Sequence, residues 1–79
     1  MEWTEEGVPL VKKRIVEYAL RGENHFCVTN GHAAHKMFYA LKCSWGEINE
    51  CGKQEGVILS KNEHNYARFQ DIWVSWERI

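Results

Sequence analysis

Two helical patterns meet in this chain with almost nothing between them. From Gly31 to Lys42 the apolar residues Ala34, Met37, Phe38 and Leu41 stand at i, i+3, i+4 and i+7, the spacing of one helix face. Two residues later comes Ser44-Trp45-Gly46-Glu47, which has the form of a capping box. In that motif the Ser oxygen accepts from the N3 amide while the Glu reaches back to the cap amide. A further helix is therefore expected from Ser44, with Ile48, Cys51 and Glu55 turned inward. Gly52 weakens it by about 1 kcal/mol relative to Ala, and Gly56 ends it. The chain is thus expected to hold two helices joined by a tight turn.

The flanking segments supply one more helix and several strands. Val8, Val11, Ile15, Tyr18 and Ala19 follow steps of three and four, which predicts a helix over about 9–21. Pro9 suits its first turn and Gly22 its C-terminal stop. The β-branched Val11, Ile15 and Val16 are also compatible with a strand. Residues 1–7 read as an acidic leader, ahead of a single domain over 8–79. His25-Phe26-Cys27-Val28-Thr29 is a short β-leaning run, and Thr29, Asn30 or Gly31 can cap the helix after it. Val57-Ile58-Leu59-Ser60 is a strand candidate, and Lys61–Asn65 is polar and turn-prone. From Tyr66 the chain is strand-like again, with Ile72, Val74 and Trp76 alternating with Trp73, Ser75 and Glu77 at a period of two. The last two segments are expected to pair as an antiparallel hairpin. The fold class is α+β, with three helices packed on a short antiparallel sheet.

Composition narrows the role. The 79 residues carry 44% apolar and 27% charged side chains, ordinary globular usage, which excludes a disordered chain. A core of this size leaves little room for a deep substrate cleft, and no Gly-rich phosphate loop, nucleophile elbow or paired carboxylate of defined spacing is present. The expectation is a protein that is not an enzyme. No apolar run approaches a membrane span. The acidic start lacks the basic and apolar regions of a secretory signal, and Cys27, Cys43 and Cys51 are odd in number. A cytoplasmic protein with reduced thiols is expected. The aromatics read first as core material, Trp73 and Trp76 included, although the period of two sets Trp73 on the face opposite Ile72, Val74 and Trp76.

The order helix, short strand, helix, tight turn, helix, hairpin resembles the winged helix-turn-helix superfamily. The resemblance covers roughly residues 9–79. It is carried by Leu41 at a helix end, Ser44, Ile48 four residues on, and Gly56, Val57 and Ile58 opening the wing. It implies a transcriptional regulator that binds duplex DNA. Ser44 and Trp45 would then approach phosphate at a helix N-terminus. Asn49, Lys53 and Gln54 would reach base edges or phosphates. Lys61, Asn62, His64, Asn65 and Arg68 would supply the wing contact, and Lys12, Lys13 and Arg14 form a second basic cluster. The third helix is short for this family, and Glu47 and Glu50 lie among its outward positions. Residues 43–79 hold four basic against six acidic residues, net −2, whereas residues 1–42 hold six against five, net +1. Non-specific DNA affinity comes mostly from phosphate neutralisation, so useful affinity implies a homodimer.

Two other readings stand beside this one. The chain can be a protein-binding modulator or inhibitor, of the kind found among phage accessory proteins, acting through acidic residues and exposed Trp45, Tyr66 and Trp73, since Trp and Tyr are common anchors of interfaces. A metal site from Cys27, His32, His35, Cys43 and Cys51 lacks any Cys-x2-Cys pair. No metal and no cofactor are expected.

Overall fold

A computed structural model describes residues 2–29, 31–60 and 72–79. The elements run α1 (Glu2–Leu20), β1 (His25–Val28), α2 (Gly31–Cys43), α3 (Trp45–Gln54), β2 (Val57–Leu59) and β3 (Ile72–Arg78). The three strands form an antiparallel sheet in the order β1-β3-β2. The last strand thus lies in the middle, joined to β1 from His25 opposite Ser75 to Val28 opposite Ile72, and to β2 from Val57 opposite Arg78 to Leu59 opposite Trp76. The architecture is the α+β class expected from the sequence, with three helices and one short antiparallel sheet.

The apolar stripes do what their spacing predicts. Val11, Ile15 and Ala19 of α1 are buried, with Val8 and Tyr18 packed at the edge. Ala34, Met37, Ala40 and Leu41 of α2 are buried with Ile48 of α3. They meet one face of the sheet, built from Phe26, Val28, Val57, Leu59, Ile72, Val74 and Trp76. Phe26 links the layers, its ring centroid 5.5 Å from Tyr18 on α1 and 5.8 Å from Trp76 on β3. The core reading holds for Trp76, which is buried, and fails for Trp73, which is 52% exposed on the opposite face.

Glycine ends two helices as expected. Gly22 has φ +82°, its amide donates to the Ala19 carbonyl, and the Glu23 amide donates to the Tyr18 carbonyl, both at 3.0 Å. That bond pair is the Schellman closure, which needs a left-handed residue at this position. Gly56, with φ +79°, follows α3 and its amide donates to the Lys53 carbonyl at 3.0 Å.

Two features depart from the sequence reading. The first helix begins at Glu2 and not near residue 9, so residues 2–7, expected as an acidic leader, are its opening turns. Pro9 consequently lies inside the helix, where it forgoes the backbone bond to the Glu5 carbonyl. Contact with α2 holds these turns in place. Glu6 pairs with Lys36 at 2.6 Å, and Gly7 is buried so closely against α2 that a Cβ there would lie 2.0 Å from the Lys36 carbonyl oxygen.

The second departure is the capping box. Ser44 is the N-cap of α3, but its side chain makes no capping hydrogen bond. Glu47 instead meets Lys12 of α1 at 2.6 Å. The packing of α1 beside α3 brings that ammonium within reach of a carboxylate that local sequence alone would assign to the cap.

Candidate nucleic-acid and protein-binding surfaces

The residues assigned to DNA contact divide three ways. Lys53 and Gln54 are exposed on the last turn of α3. Lys53 is held by Glu50 one turn earlier, at 3.2 Å. Ser44, Trp45 and Asn49 are only half-exposed. Trp45 packs against the core cluster, so only part of its side chain is exposed rather than the whole of it. The Asn49 amide oxygen is fully buried without a hydrogen-bond partner among the described residues, so that end of the side chain points into the protein. Lys61, Asn62, His64, Asn65, Tyr66 and Arg68 lie outside the described residues.

The outward face of α3 is close to neutral. Glu47 and Glu50 each engage a lysine, Lys12 and Lys53 respectively. Exposed ion pairs of this kind contribute little to stability, ~0–1 kcal/mol. Their consequence is electrostatic, because each carboxylate screens the cation beside it. Lys13 and Arg14 are exposed on α1.

The outer face of the sheet carries a different chemistry. Trp73 stacks on His25, with centroids 5.9 Å apart and planes inclined by 26°. Cys27 stands directly across the ladder from Trp73, and on the other side of β3 the exposed Ile58 faces Glu77. The period-two pattern thus holds in setting Trp73 opposite Ile72, Val74 and Trp76.

No family profile, no curated protein and no solved structure matches this chain. Its own residues are therefore the guide to its site.

Among the described residues, no three of His, Cys, Asp and Glu converge on a point where a metal could sit. No described helix is long and apolar enough to cross a membrane. The thiols differ in setting. Burial pushes Cys51 above its ordinary pKa, with Lys12 opposing the shift and Glu55 and Glu47 adding to it, whereas Cys43 is exposed at the end of α2. The thiolate is the reactive form, so a raised pKa and burial both slow Cys51. Alkylation near neutral pH with mass-spectrometric mapping is expected to modify Cys43 before Cys51, and faster labelling of Cys51 would contradict its described setting.

Sequence reasoning misses one recess. Leu10, Arg14 and Tyr18 of α1, Val28 of β1, and His32 and Lys36 of α2 line a cleft of about 550 Å³. The signal is present in part. Leu10, Arg14 and Tyr18 recur every four residues, as do His32 and Lys36, so each set shares a helix face. Nothing in the spacing says that the two faces converge.

Proposed function

We propose that this chain is a small non-enzymatic regulator of the winged-helix type that binds duplex DNA. The observation that carries the reading is the topology. A helix and a strand precede two helices joined through the single residue Ser44, and the last strand of the closing pair lies between β1 and β2. The element order supports the plan implied by the sequence resemblance, in which α3 would be the reading helix and the segment between β2 and β3 the wing. A recognition helix works by lying in the major groove with side chains at base edges. Lys53 and Gln54 are the exposed α3 side chains suited to this.

Charge sets how strongly such a domain binds. With Lys53 shared by Glu50 and a net charge of −1 over the chain, one copy neutralises few phosphates. The reading therefore includes a homodimer on DNA, which doubles the contacts. A titration against random duplex DNA at low and moderate salt, with light scattering on the same sample, tests it. Salt-sensitive binding by a dimer is the expected result. Replacing Lys53 and Arg68 together with Ala is expected to weaken binding and reduce the salt slope by about 2 per copy, one per lost phosphate contact. No binding at about 50 mM salt, where phosphate contacts are strong, would remove the DNA reading.

A second reading draws on a separate observation. Trp73 is 52% exposed and Ile58 48% exposed on the outer sheet face, and exposed aromatic residues are frequent anchors for protein partners. Under this reading the chain is a protein-binding modulator, Trp73→Ala lowers partner affinity, and the DNA titration is silent.

A further inference from the structure

We propose that the cleft between α1, β1 and the first half of α2 binds a small organic anion, an apolar body carrying a carboxylate or a phosphate. The inference goes beyond the DNA reading and does not depend on it. Its basis is the combination of shape, charge and apolar surface in one recess.

The volume is about 550 Å³, within the ~300–1,000 Å³ range of small-molecule sites. Arg14, His32 and Lys36 contribute three nitrogen groups to its lining, and no carboxylate lines it among the described residues. The chain as a whole has more acidic than basic residues, so this recess runs against the general balance. Arg14 and His32 have no ion-pair partner among the described residues, whereas Lys36 is shared with Glu6 at 2.6 Å. A guanidinium presents a planar fork that matches a carboxylate or phosphate. The Thr29 hydroxyl, also in the lining, adds a donor.

Leu10, Tyr18, Val28 and Ala33 supply the apolar part of the lining. Leu10 is 36% exposed, Tyr18 is half-buried, and the largely buried Val28 lies beside them in the lining. Covering such a surface removes it from water and favours a ligand with a hydrocarbon or aromatic body. A DNA backbone phosphate would use the cations and leave this wall uncovered, which is why the geometry favours a small molecule. Arg14 stands between Leu10 and Tyr18 on one face of α1, so the anion would meet Arg14, with His32 and Lys36 across from it on α2, and the apolar body would lie along the neighbouring Leu10 or Tyr18.

The test uses the whole chain, labelled with nitrogen-15, and no DNA. Phenyl phosphate and benzoate are the two probes. Inorganic phosphate and benzyl alcohol supply the charge and the ring separately. Saturable amide shifts at Leu10, Thr29, His32 and Ala33 are expected for at least one probe, and which one saturates identifies the preferred head group. Its affinity should exceed that of either control by about tenfold or more, since charged and apolar lining residues both contribute. Arg14→Gln, at an exposed position, should weaken it by about tenfold through loss of the charged donor while leaving the thermal melt unchanged. Leu10→Ser should weaken it without changing inorganic phosphate binding. The proposal is overturned if neither probe saturates by about 10 mM, weaker than any useful site, if inorganic phosphate binds as tightly, or if Arg14→Gln has no effect. Loss of duplex binding in Arg14→Gln, with neither probe binding, would assign the cleft to backbone phosphate and likewise overturn it.

Discussion

Replacing Ile48 with Asp is expected to abolish the folded domain. Ile48 is fully buried, and it is the one large aliphatic side chain by which α3 enters the core. Losing the side chain alone costs roughly 2–5 kcal/mol. A carboxyl group in its place adds the cost of a buried polar or charged group without a partner. A domain of this size has a total stability of only about 4–12 kcal/mol. The sum is therefore comparable with everything that holds the fold together. Circular dichroism and a thermal melt should show no cooperative transition for Ile48→Asp. Ile48→Val, which shortens the side chain by one methyl group, should lose ~1 kcal/mol and keep a cooperative melt. A cooperative melt of Ile48→Asp at the parent temperature would show that α3 does not pack through this residue.

Gly7→Ala is expected to destabilise the protein by about 2 kcal/mol or more, the upper part of the range for overpacking. Helix propensity alone predicts the opposite, a gain of about 1 kcal/mol. The structure reverses the sign because the new Cβ would fall 2.0 Å from the Lys36 carbonyl oxygen and 3.1 Å from the Ala40 Cβ. The carbonyl belongs to the backbone of α2 and cannot rotate away as a side chain can. Either α1 and α2 separate or the opening turns of α1 detach. In a domain of this size each kcal/mol moves Tm by about 4–8 °C, so a drop of about 10 °C is expected. Gly46→Ala is the control. Gly46 lies in α3, and a methyl group added there would have no described atom of another element within 4 Å. The same substitution should therefore stabilise at that position, by up to about 1 kcal/mol. Equal effects at the two glycines would refute the close approach of α1 to α2.

Gly52 shows the same physics inside α3. Propensity marks it as a weak point. In the structure it is buried, and a Cβ would stand 3.3 Å from side-chain atoms of Leu59 and Val57. The missing side chain eases the close approach of α3 to β2, so the cost that propensity assigns to Gly52 is at least partly offset by packing.

The candidate surfaces are only partly legible in the sequence. The period of two along Ile72–Glu77 separates Trp73 from Ile72, Val74 and Trp76, because alternation follows from strand geometry alone, but which of the two faces the helices cover is decided by packing. It does not say that His25 stacks on Trp73, which depends on β1 pairing with β3 across more than 40 residues of chain. Trp45 misleads for a related reason. A residue at a helix start looks exposed when only its own helix is considered, and the neighbouring elements half-bury it. The α3 carboxylates are recognisable as unfavourable for DNA, but their engagement by Lys12 and Lys53 is a matter of packing and rotamer.

By itself the sequence determined the class of the fold. Steps of three and four placed the buried faces of α1 and α2, glycines marked where α1 and α3 stop, and the period of two gave β3. These features depend on neighbours within about one helical turn or two strand residues, so they are written locally. Tertiary structure decided the rest: the early start of α1 against α2, the transfer of Glu47 from a cap to Lys12, the central place of β3, and the convergence of Arg14, His32 and Lys36 on one cleft. Each of these depends on groups brought together from distant parts of the chain, and their interaction energies exist only once the core has closed around them.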